Sequence, residues 1–325
     1  MQLESAINLK NSITQSKFAS KMLLSPANVP AMALAVRAIS VESPPPKAPI
    51  AIGVTGSGKN YRLAVRVQKA IPGLELVLDE IRKQCRGEME VKQVGRVLKQ
   101  VPWHQKKNRP LRIGGSIGHF EITAGTLGCF VKQRTDGEEL ILSNNHVLAN
   151  ENKAVIGDAI IQPGDIDGGT VSTNKVGELK KFTRLKIRNN HVDAAAASLA
   201  DGIEYYYNYL ETIGAITGVR TEPLDEGEIV RKVGRTTGVT RGKITAIEVN
   251  SLLVGYDIGD LEFDQQIEIG PADNTPFSLG GDSGSLIVDS QRRAVALLFA
   301  GNDVDATFAN PIQDVLDSLK VDLVY

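Results

Sequence analysis

The chain has 325 residues, of which 42% are hydrophobic, 23% are charged and 31 are glycine. This composition indicates a globular protein of about two domains and excludes collagen-like, disordered and coiled-coil chains. No stretch approaches the roughly 20 consecutive apolar residues of a membrane-spanning helix, and charged residues interrupt the beginning of the chain, where a signal peptide needs an apolar run. We therefore expect a cytoplasmic protein with no membrane partner. Two cysteines, Cys85 and Cys129, are too few for a disulfide framework.

The charge is unevenly distributed along the chain. Residues 1–118 carry 19 Lys and Arg against 7 Asp and Glu, whereas residues 119–325 carry 18 against 31. These opposite net charges favour a contact between the two halves or between copies of the chain. We therefore expect a homo-oligomer formed through the N-terminal region. Such a contact accounts for the basic half without a nucleic-acid partner, which we do not expect.

The N-terminal part divides into two predicted segments. Residues 2–24 have apolar positions at helical spacing, and the run Ser43-Pro44-Pro45-Pro46 predicts a stiff extended linker. Residues 1–45 are thus a helical segment with a Pro-rich linker, and residues 46–112 are a small α/β accessory domain that ends in a basic connector. The predicted elements of that domain are strands at 48–54, 61–67 and 90–97 and a helix at 74–85.

One motif in the accessory domain has two interpretations. The run from Gly53 to Asn60 nearly matches a phosphate-binding loop, but it lacks the final hydroxyl residue, and residues 61–67 alternate like a strand where that loop must open into a helix. We therefore predict a hairpin turn. A nucleotide- or nucleic-acid-dependent regulator remains an alternative function on this motif and the basic half.

Residues 113–325 form the third predicted domain. From about His119 the sequence consists of short β-branched runs punctuated by Gly, Asn and Asp, which is typical of antiparallel sandwiches and barrels. The C-terminal end is predicted to be helical, with Asn310 as the cap and Pro311 at the first helical position.

The most informative segment is Gly280-Gly281-Asp282-Ser283-Gly284-Ser285. A serine hydroxyl is a poor nucleophile unless a tight turn presents it beside a base, with backbone N–H groups directed at the oxyanion that forms during acyl transfer. Gly281 permits such a turn, and the amides of Gly281 and Ser283 are the expected oxyanion donors.

A base and an orienting carboxylate are also present in the sequence. His146 follows the apolar run Ile141-Leu142, and Asp193 precedes four alanines that would bury it and strengthen its hydrogen bond to an imidazole. Other aspartates lie in a polar, Gly-rich stretch close behind the histidine, and we interpret them as loop residues. These are Asp158, Asp165 and Asp167.

In its order His, Asp, Ser, with intervals of 47 and 90 residues, the chain resembles the trypsin-like (chymotrypsin-fold) serine peptidases over about residues 113–320. Further shared motifs are Gly125-Thr126-Leu127-Gly128-Cys129, the run from Val233 to Gly242, and Leu298-Phe299-Ala300-Gly301. Together they look most like bacterial cytosolic trypsin-like peptidases and the plant narrow-leaf group.

The resemblance implies a mainly β fold of two six-stranded antiparallel barrels and a serine endopeptidase acting on protein or peptide substrates. It implies His146 as general base, Asp193 as its orienting carboxylate and Ser283 as nucleophile, with no cofactor and no metal. It also implies that Asp282 forms a structural ion pair. A non-catalytic peptide-binding scaffold of the same fold is the other alternative.

Two further features bear on substrate choice and activation. The resemblance places Phe277 at the base of the substrate pocket, with Phe299, Ala300 and Gly301 as its other substrate-binding residues, so we expect cleavage after apolar or small residues. Arg112-Ile113-Gly114-Gly115 is similar to an activation cleavage site, but only 33 residues separate Ile113 from His146, and we favour an ordinary loop there.

Overall fold

The structure is a computed structural model that describes residues 1–15, 50–69, 73–95, 97, 101–302 and 305–325. The predicted linker at 43–46 and the end of the helix predicted over 2–24 lie outside these residues. The chain divides into two compact units, Met1–Gln100 and Val101–Tyr325. In the described ranges, no helix is both long enough and apolar enough to cross a membrane.

The first unit packs two helices against a three-stranded sheet. Its elements are α1 (Leu3–Gln15), β1 (Ile50–Ser57), β2 (Asn60–Val67), α2 (Leu74–Gln84) and β3 (Met89–Gln93). The order is β1-β2-β3, with the first pair antiparallel and the second parallel. Leu63, Val65 and Ile81 are buried in its core. The predicted helix at 74–85 and strand at 61–67 are confirmed, the described part of the strand predicted at 48–54 lies in β1, and the strand predicted at 90–97 ends at Gln93.

The motif Gly53–Asn60 lies in the β1–β2 hairpin of this unit. Ser57 pairs directly with Asn60, and the strand β2 follows at once. A phosphate-binding loop would place a helix N-terminus at this point. The hairpin interpretation is confirmed.

The second unit contains most of the strands. In chain order they are β4 (Leu111–Arg112), β5 (Ser116–His119), β6 (Gly125–Thr126), β7 (Cys129–Gln133), β8 (Glu139–Ser143), β9 (Ala159–Ile161), β10 (Lys175–Phe182), β11 (Ala195–Ser198), β12 (Tyr205–Tyr206), β13 (Tyr209–Leu210), β14 (Gly214–Ala215), β15 (Gly218–Val219), β16 (Ile229–Gly234), β17 (Gly238–Val249), β18 (Leu252–Tyr256), β19 (Gly259–Phe263), β20 (Gln266–Pro271), β21 (Leu286–Val288), β22 (Arg293–Gly301), β23 (Thr307–Pro311) and β24 (Val321–Leu323). Its helices are α3 (Asn145–Leu148), α4 (Val171–Asn174) and α5 (Ile312–Leu319), and single 3-10 turns lie at Trp103–Gln105 and Asp165–Asp167.

Two large sheets form the barrels. One has the order β24-β7-β8-β11-β10-β9-β5-β6 and curves into a half-barrel, in which β6 and β7 are successive parts of one segment, 125–133. In the other, an additional pairing between β22 and β23 closes a ring of six antiparallel strands, β22-β21-β16-β17-β20-β23. The predicted mainly β, chymotrypsin-like two-barrel architecture is confirmed.

Apolar side chains fill the interiors of both sheets. The core of the half-barrel includes Leu127, Phe130 and Leu142, and that of the closed barrel includes Ile244, Ile269 and Phe277. Each such side chain contributes about 1.5–3 kcal/mol when fully buried. The segments that contain His146, Asp193 and Ser283 adjoin strands of these two cores, namely β8, β11 and β21.

The C-terminal helix begins one residue later than the sequence predicted. α5 starts at Ile312 with Pro311 as its N-cap and no side-chain cap hydrogen bond. The prediction that Asn310 caps this helix is wrong, because the side chain is used elsewhere. Its Oδ1 accepts the Asp193 N–H at 2.9 Å, and its Nδ2 donates to Gln266 Oε1 at 2.7 Å.

Candidate active site

The ends of two neighbouring strands bring His146 and Asp193 together. Antiparallel β8 and β11 pair so that Ser143 lies opposite Ala195. The chain leaves β8 at Ser143 and enters β11 at Ala195, so the residues just beyond this pair belong to the same edge of the half-barrel. His146 lies there in α3, and Asp193 lies in the segment that leads into β11.

A short hydrogen bond joins the two side chains. His146 Nδ1 donates to Asp193 Oδ2 at 2.5 Å, and Asp193 is fully buried. An imidazole that gives its Nδ1 proton to a carboxylate keeps Nε2 as a free acceptor. The His146 side chain is 22% exposed, so this acceptor is available to a reacting group.

Three further donors hold the Asp193 carboxylate. Oδ1 accepts the backbone N–H groups of Asn145 at 2.6 Å and His146 at 3.3 Å, and Oδ2 also accepts the Tyr256 hydroxyl at 2.7 Å. The backbone of Asp193 is fixed as well, because its N–H donates to Asn310 and its carbonyl accepts Asn144 Nδ2 at 2.7 Å. Sequence reasoning missed Tyr256 and Asn310, for which no local pattern exists.

Ser283 lies in the predicted tight turn and faces the same cleft as His146. Gly281 and Gly284 on either side have φ of +93° and +92°, the left-handed region in which a side chain is strained. A Cβ at Gly284 would also lie 2.1 Å from Ser143 Oγ. Only glycine fits there, so the turn presents the Ser283 side chain in one defined place.

The Ser283 hydroxyl donates to the Phe299 carbonyl at 3.4 Å. Within the described part of the chain this is its one hydrogen bond, and none joins it to His146. The distance is longer than the usual range for a hydroxyl donor, so the contact is weak, and a rotation about Cα–Cβ releases it. Catalytic hydrogen bonds commonly tighten only when substrate is bound.

The amides of the turn fall into two groups. Asp282, Gly284 and Ser285 donate their N–H groups to the carbonyls of other residues. Over the ranges that the structure describes, the amides of Gly280, Gly281 and Ser283 have no acceptor in the protein. Those of Gly281 and Ser283 are the amides that the resemblance assigns to an oxyanion beside Ser283.

A buried ion pair supports the turn from behind. Asp282 Oδ2 lies 3.1 Å from Lys232 Nζ, and both side chains are completely inaccessible. Asp282 also accepts the N–H groups of Leu279, Thr236 and Thr237 and the Thr237 hydroxyl, at 2.7–3.1 Å. Burial lowers the pKa of Lys232, and the Asp282 carboxylate opposes that shift. The expected structural ion pair of Asp282 is confirmed, and its cation comes from β16.

We expect Lys232→Met to destabilise the protein by about 3–5 kcal/mol, because it leaves the Asp282 carboxylate buried without its cation. The turn that holds the Gly281 and Ser283 amides should relax at the same time, and the peptide hydrolysis that the resemblance implies should slow by at least about 100-fold. Urea unfolding and peptide hydrolysis measure the two effects. Lys175→Met is the matched control, because its partner Glu178 and Lys175 itself are exposed, and such pairs contribute under about 1 kcal/mol. A Lys232→Met protein as stable as the wild type would contradict this account.

The cleft around Ser283 has a volume of about 270 Å³. The residues that line it are His146, Glu151, Val254, Gly255, Tyr256, Ser278, Leu279, Gly280, Ser283, Leu298, Phe299, Ala300, Gly301 and Asn302. Three of the four predicted substrate-binding residues are among them, namely Phe299, Ala300 and Gly301.

Phe277 lies elsewhere, and here the structure differs from the sequence expectation. Its side chain is 2% exposed in the core of the closed barrel, with Ile244 and Ile269. An aromatic side chain gains more free energy in that core than at the wall of an open cleft. Ser278 lines the cleft instead, and its hydroxyl pairs with Thr307 Oγ1 at 2.6 Å.

Within the described residues, none of the rival aspartates forms a hydrogen bond or an ion pair with His146. Asp158 pairs with His119 at 3.1 Å, and Asp167 forms two hydrogen bonds to the Arg235 guanidinium at 2.7 and 2.8 Å. Asp165 begins a 3-10 turn and is exposed. Across the described residues, no group of three or more His, Cys, Asp or Glu side chains could hold a metal ion.

Opposing effects act on the pKa of His146. Burial lowers it, but the charge and hydrogen bond of Asp193 raise it more, and the Glu151 carboxylate adds to the increase. The pKa of His146 therefore lies above its ordinary value of 6.5. The general base that the resemblance implies must be neutral to accept a proton, so the expected peptide hydrolysis should rise with pH through a range above 6.5.

We expect Glu151→Gln to move this acidic limb to lower pH, because it removes a negative charge that raises the pKa of His146. The pH profile of kcat/KM measures the shift. Glu121→Gln is the control, because the Glu121 carboxylate is exposed and does not shift the pKa of His146. A limb that stays in place, or moves to higher pH, would show that Glu151 does not act on His146.

No family model matches the chain, and no curated protein matches it. Among solved structures it is similar to a glutamic acid-specific serine protease, with 18% identity over 66% of this chain and 100% of that chain and a TM-score of 0.49. It is also similar to Thermobifida fusca protease A, with 18% identity over 66% of this chain and 99% of that chain and a TM-score of 0.45. The similarity to Cellulomonas bogoriensis chymotrypsin has 17% identity over 66% of this chain and 99% of that chain and a TM-score of 0.44. The functional conclusion therefore depends on the contacts of His146, Asp193 and Ser283.

Proposed function

We propose that the chain is a serine endopeptidase that cleaves peptide bonds through an acyl-enzyme intermediate. The observation that carries this proposal is the 2.5 Å hydrogen bond from His146 Nδ1 to the buried Asp193, in a cleft that Ser283 also lines. A peptide-binding scaffold has no physical need for an oriented imidazole beside a serine.

The first half of the proposed reaction uses Ser283, His146, Asp193 and two backbone amides. Ser283 Oγ attacks the carbonyl carbon of the substrate and passes its proton to His146 Nε2, while Asp193 stabilises the imidazolium. The negative charge moves to the carbonyl oxygen, which the free amides of Gly281 and Ser283 bind. His146 then returns the proton to the leaving amine as the peptide C–N bond breaks, and Ser283 remains acylated.

The second half repeats these roles with water. His146 removes a proton from a water molecule, whose oxygen attacks the acyl carbon. The proton returns to Ser283 Oγ as the ester bond breaks. The products are a carboxylic acid and an amine, and no cofactor takes part.

We further propose a cytosolic, regulated enzyme that cleaves after small or apolar residues and self-associates through its N-terminal region. Leu298, Phe299 and Ala300 of β22 lie along the cleft with the first two side chains buried beneath it, and the Ser278–Thr307 hydroxyl pair satisfies its own hydrogen bonds. Among the described residues that line the cleft, Glu151 is the one carboxylate, and it is half-buried, so a basic substrate side chain has no fully buried ionic partner there.

Sequencing of new N-termini in a proteome-derived peptide library tests activity and preference together. The library is incubated with the wild-type chain or with Ser283→Ala. We expect cuts after small or apolar residues with the wild type alone. Equal sets of cuts would overturn the peptidase proposal, and a wild-type set dominated by Arg and Lys would overturn the preference.

A further inference from the structure

The hairpin of β18 and β19 borders the cleft. Val254, Gly255 and Tyr256 line it, and Tyr256 is the last residue of β18. We propose that Tyr256 is a positioning residue, through which this hairpin holds the Asp193 carboxylate in the orientation that His146 requires. The inference rests on the proposed function, because the orientation of Asp193 matters for catalysis only if His146 acts as a base.

The hydrogen bonds of Asp193 show why one hydroxyl is decisive. A carboxylate has about four acceptor positions, and Asp193 receives four donors. Among the described residues, three of these donors come from Asn145 and His146 themselves, and the Tyr256 hydroxyl is the one from another part of the chain. Without it, Oδ2 would keep an unsatisfied position in a fully buried site, and the carboxylate could rotate away from Nδ1.

The tyrosine ring is held as firmly as its hydroxyl. It lies edge-on to the His146 ring, with 5.9 Å between the ring centroids, and it stacks on Phe263, with 6.0 Å between the ring centroids. The ring centroids of Phe263 and Phe299 are 4.8 Å apart, and the Phe299 carbonyl accepts the hydrogen bond from the Ser283 hydroxyl. This aromatic row therefore touches all three members of the proposed triad.

The hairpin is tied to the loops that carry His146 and Asp193. Beyond His146, Glu151 Oε2 accepts the Ile258 N–H at 3.2 Å, and Lys153 Nζ lies 3.6 Å from Asp257. Before Asp193, Asn190 donates its N–H to the Glu262 carbonyl and accepts the Asp264 N–H. Contacts on both sides fix where the Tyr256 hydroxyl lies.

The phenol is a constant donor near neutral pH. Burial raises the pKa of Tyr256 well above its ordinary value of 10.0, and the Asp193 charge and hydrogen bond raise it further. The hydroxyl therefore stays protonated wherever His146 is neutral enough to act.

Tyr256→Phe tests the proposal, with Leu253→Ala as the matched control on the exposed face of the same strand. We expect Tyr256→Phe to lower kcat about 10- to 100-fold with little change in KM. We also expect the acidic limb of kcat/KM to move to higher pH, because Asp193 loses a donor that shares its negative charge. The NMR resonance of the His146 Nδ1 proton should shift in Tyr256→Phe and stay in place in Leu253→Ala.

The outcomes separate this inference from the proposed function. The Nδ1 resonance reports on the Asp193–His146 pair whether or not the chain cleaves peptides. If the wild-type chain does not hydrolyse peptides, the peptidase proposal is overturned. The Nδ1 resonance then tests by itself whether Tyr256 positions Asp193. Unchanged kcat, pH limb and resonance in Tyr256→Phe overturn the positioning role. If Tyr256→Phe does not fold, 3-fluorotyrosine at position 256 replaces it, and as a stronger donor it should move the limb to lower pH; an unmoved limb overturns the proposal.

Discussion

Replacing Ser283 with alanine is expected to lower the rate of peptide hydrolysis by about 10⁶-fold, as the removal of a triad nucleophile does elsewhere. The change deletes one oxygen and leaves the turn intact, because Gly281 and Gly284 set its backbone and Thr126 N–H still donates to the residue 283 carbonyl at 2.8 Å. Substrate binding should remain. The measurement is the single-turnover rate with a peptide taken from the library.

The matched control for this prediction lies two residues away in the same turn. Ser285 Oγ donates to the Asp282 carbonyl at 2.6 Å and is buried. Its replacement by alanine removes one hydrogen bond of about 1 kcal/mol, and we expect a rate loss below about tenfold. Comparable losses in the two variants would mean that the turn is structural and that Ser283 is not the nucleophile.

Asp193→Asn is expected to lower kcat by about 10⁴-fold while the protein remains folded. The asparagine oxygen can still accept the N–H groups of Asn145 and His146, but its NH₂ group takes the place of Oδ2. That group donates to His146 Nδ1, so the proton moves to Nε2 and the imidazole can no longer accept from Ser283. Steady-state kinetics with a check of folding by circular dichroism measure the effect.

Asp158→Asn is the control for the aspartate variant. Asp158 also bonds a histidine, His119, but that pair lies apart from the cleft residues. We expect its loss to change the rate less than tenfold. An Asp193→Asn enzyme with near-normal kcat would show that the carboxylate does not orient the base.

The parts of the site that follow from sequence are those with a local physical signal. The glycines around Ser283 are required by a left-handed backbone, and the strand that precedes His146 has an apolar run of its own. Both patterns are visible without a structure. The alternation of short β-branched runs likewise predicts antiparallel barrels.

The supporting groups could not be read in this way. Tyr256, Asn310 and Lys232 act on residues 50 to 117 positions distant, and no local pattern links them to those residues. A lysine in β16 looks like any outward-facing strand residue until the neighbouring turn buries it. Pairings of this kind are set by the closure of the barrels, which sequence spacing does not reveal.

The placement of Phe277 has a related cause. Its offset of six residues from Ser283 was taken from the resemblance, but the choice between Phe277 and Ser278 depends on which side chain faces the barrel core. The Phe277 side chain is buried in the core of the closed barrel, and Ser278 lines the cleft. A shift of one residue exchanges the two faces of an extended segment.

The most direct test of the central claim is the mapping of a fluorophosphonate adduct by mass spectrometry. The reagent phosphonylates an alcohol only when an adjacent base and an oxyanion site activate it. We predict one adduct per chain, located on Ser283 and slowed strongly by His146→Ala. An adduct on another residue, or a folded wild-type chain that takes up none, would contradict the account.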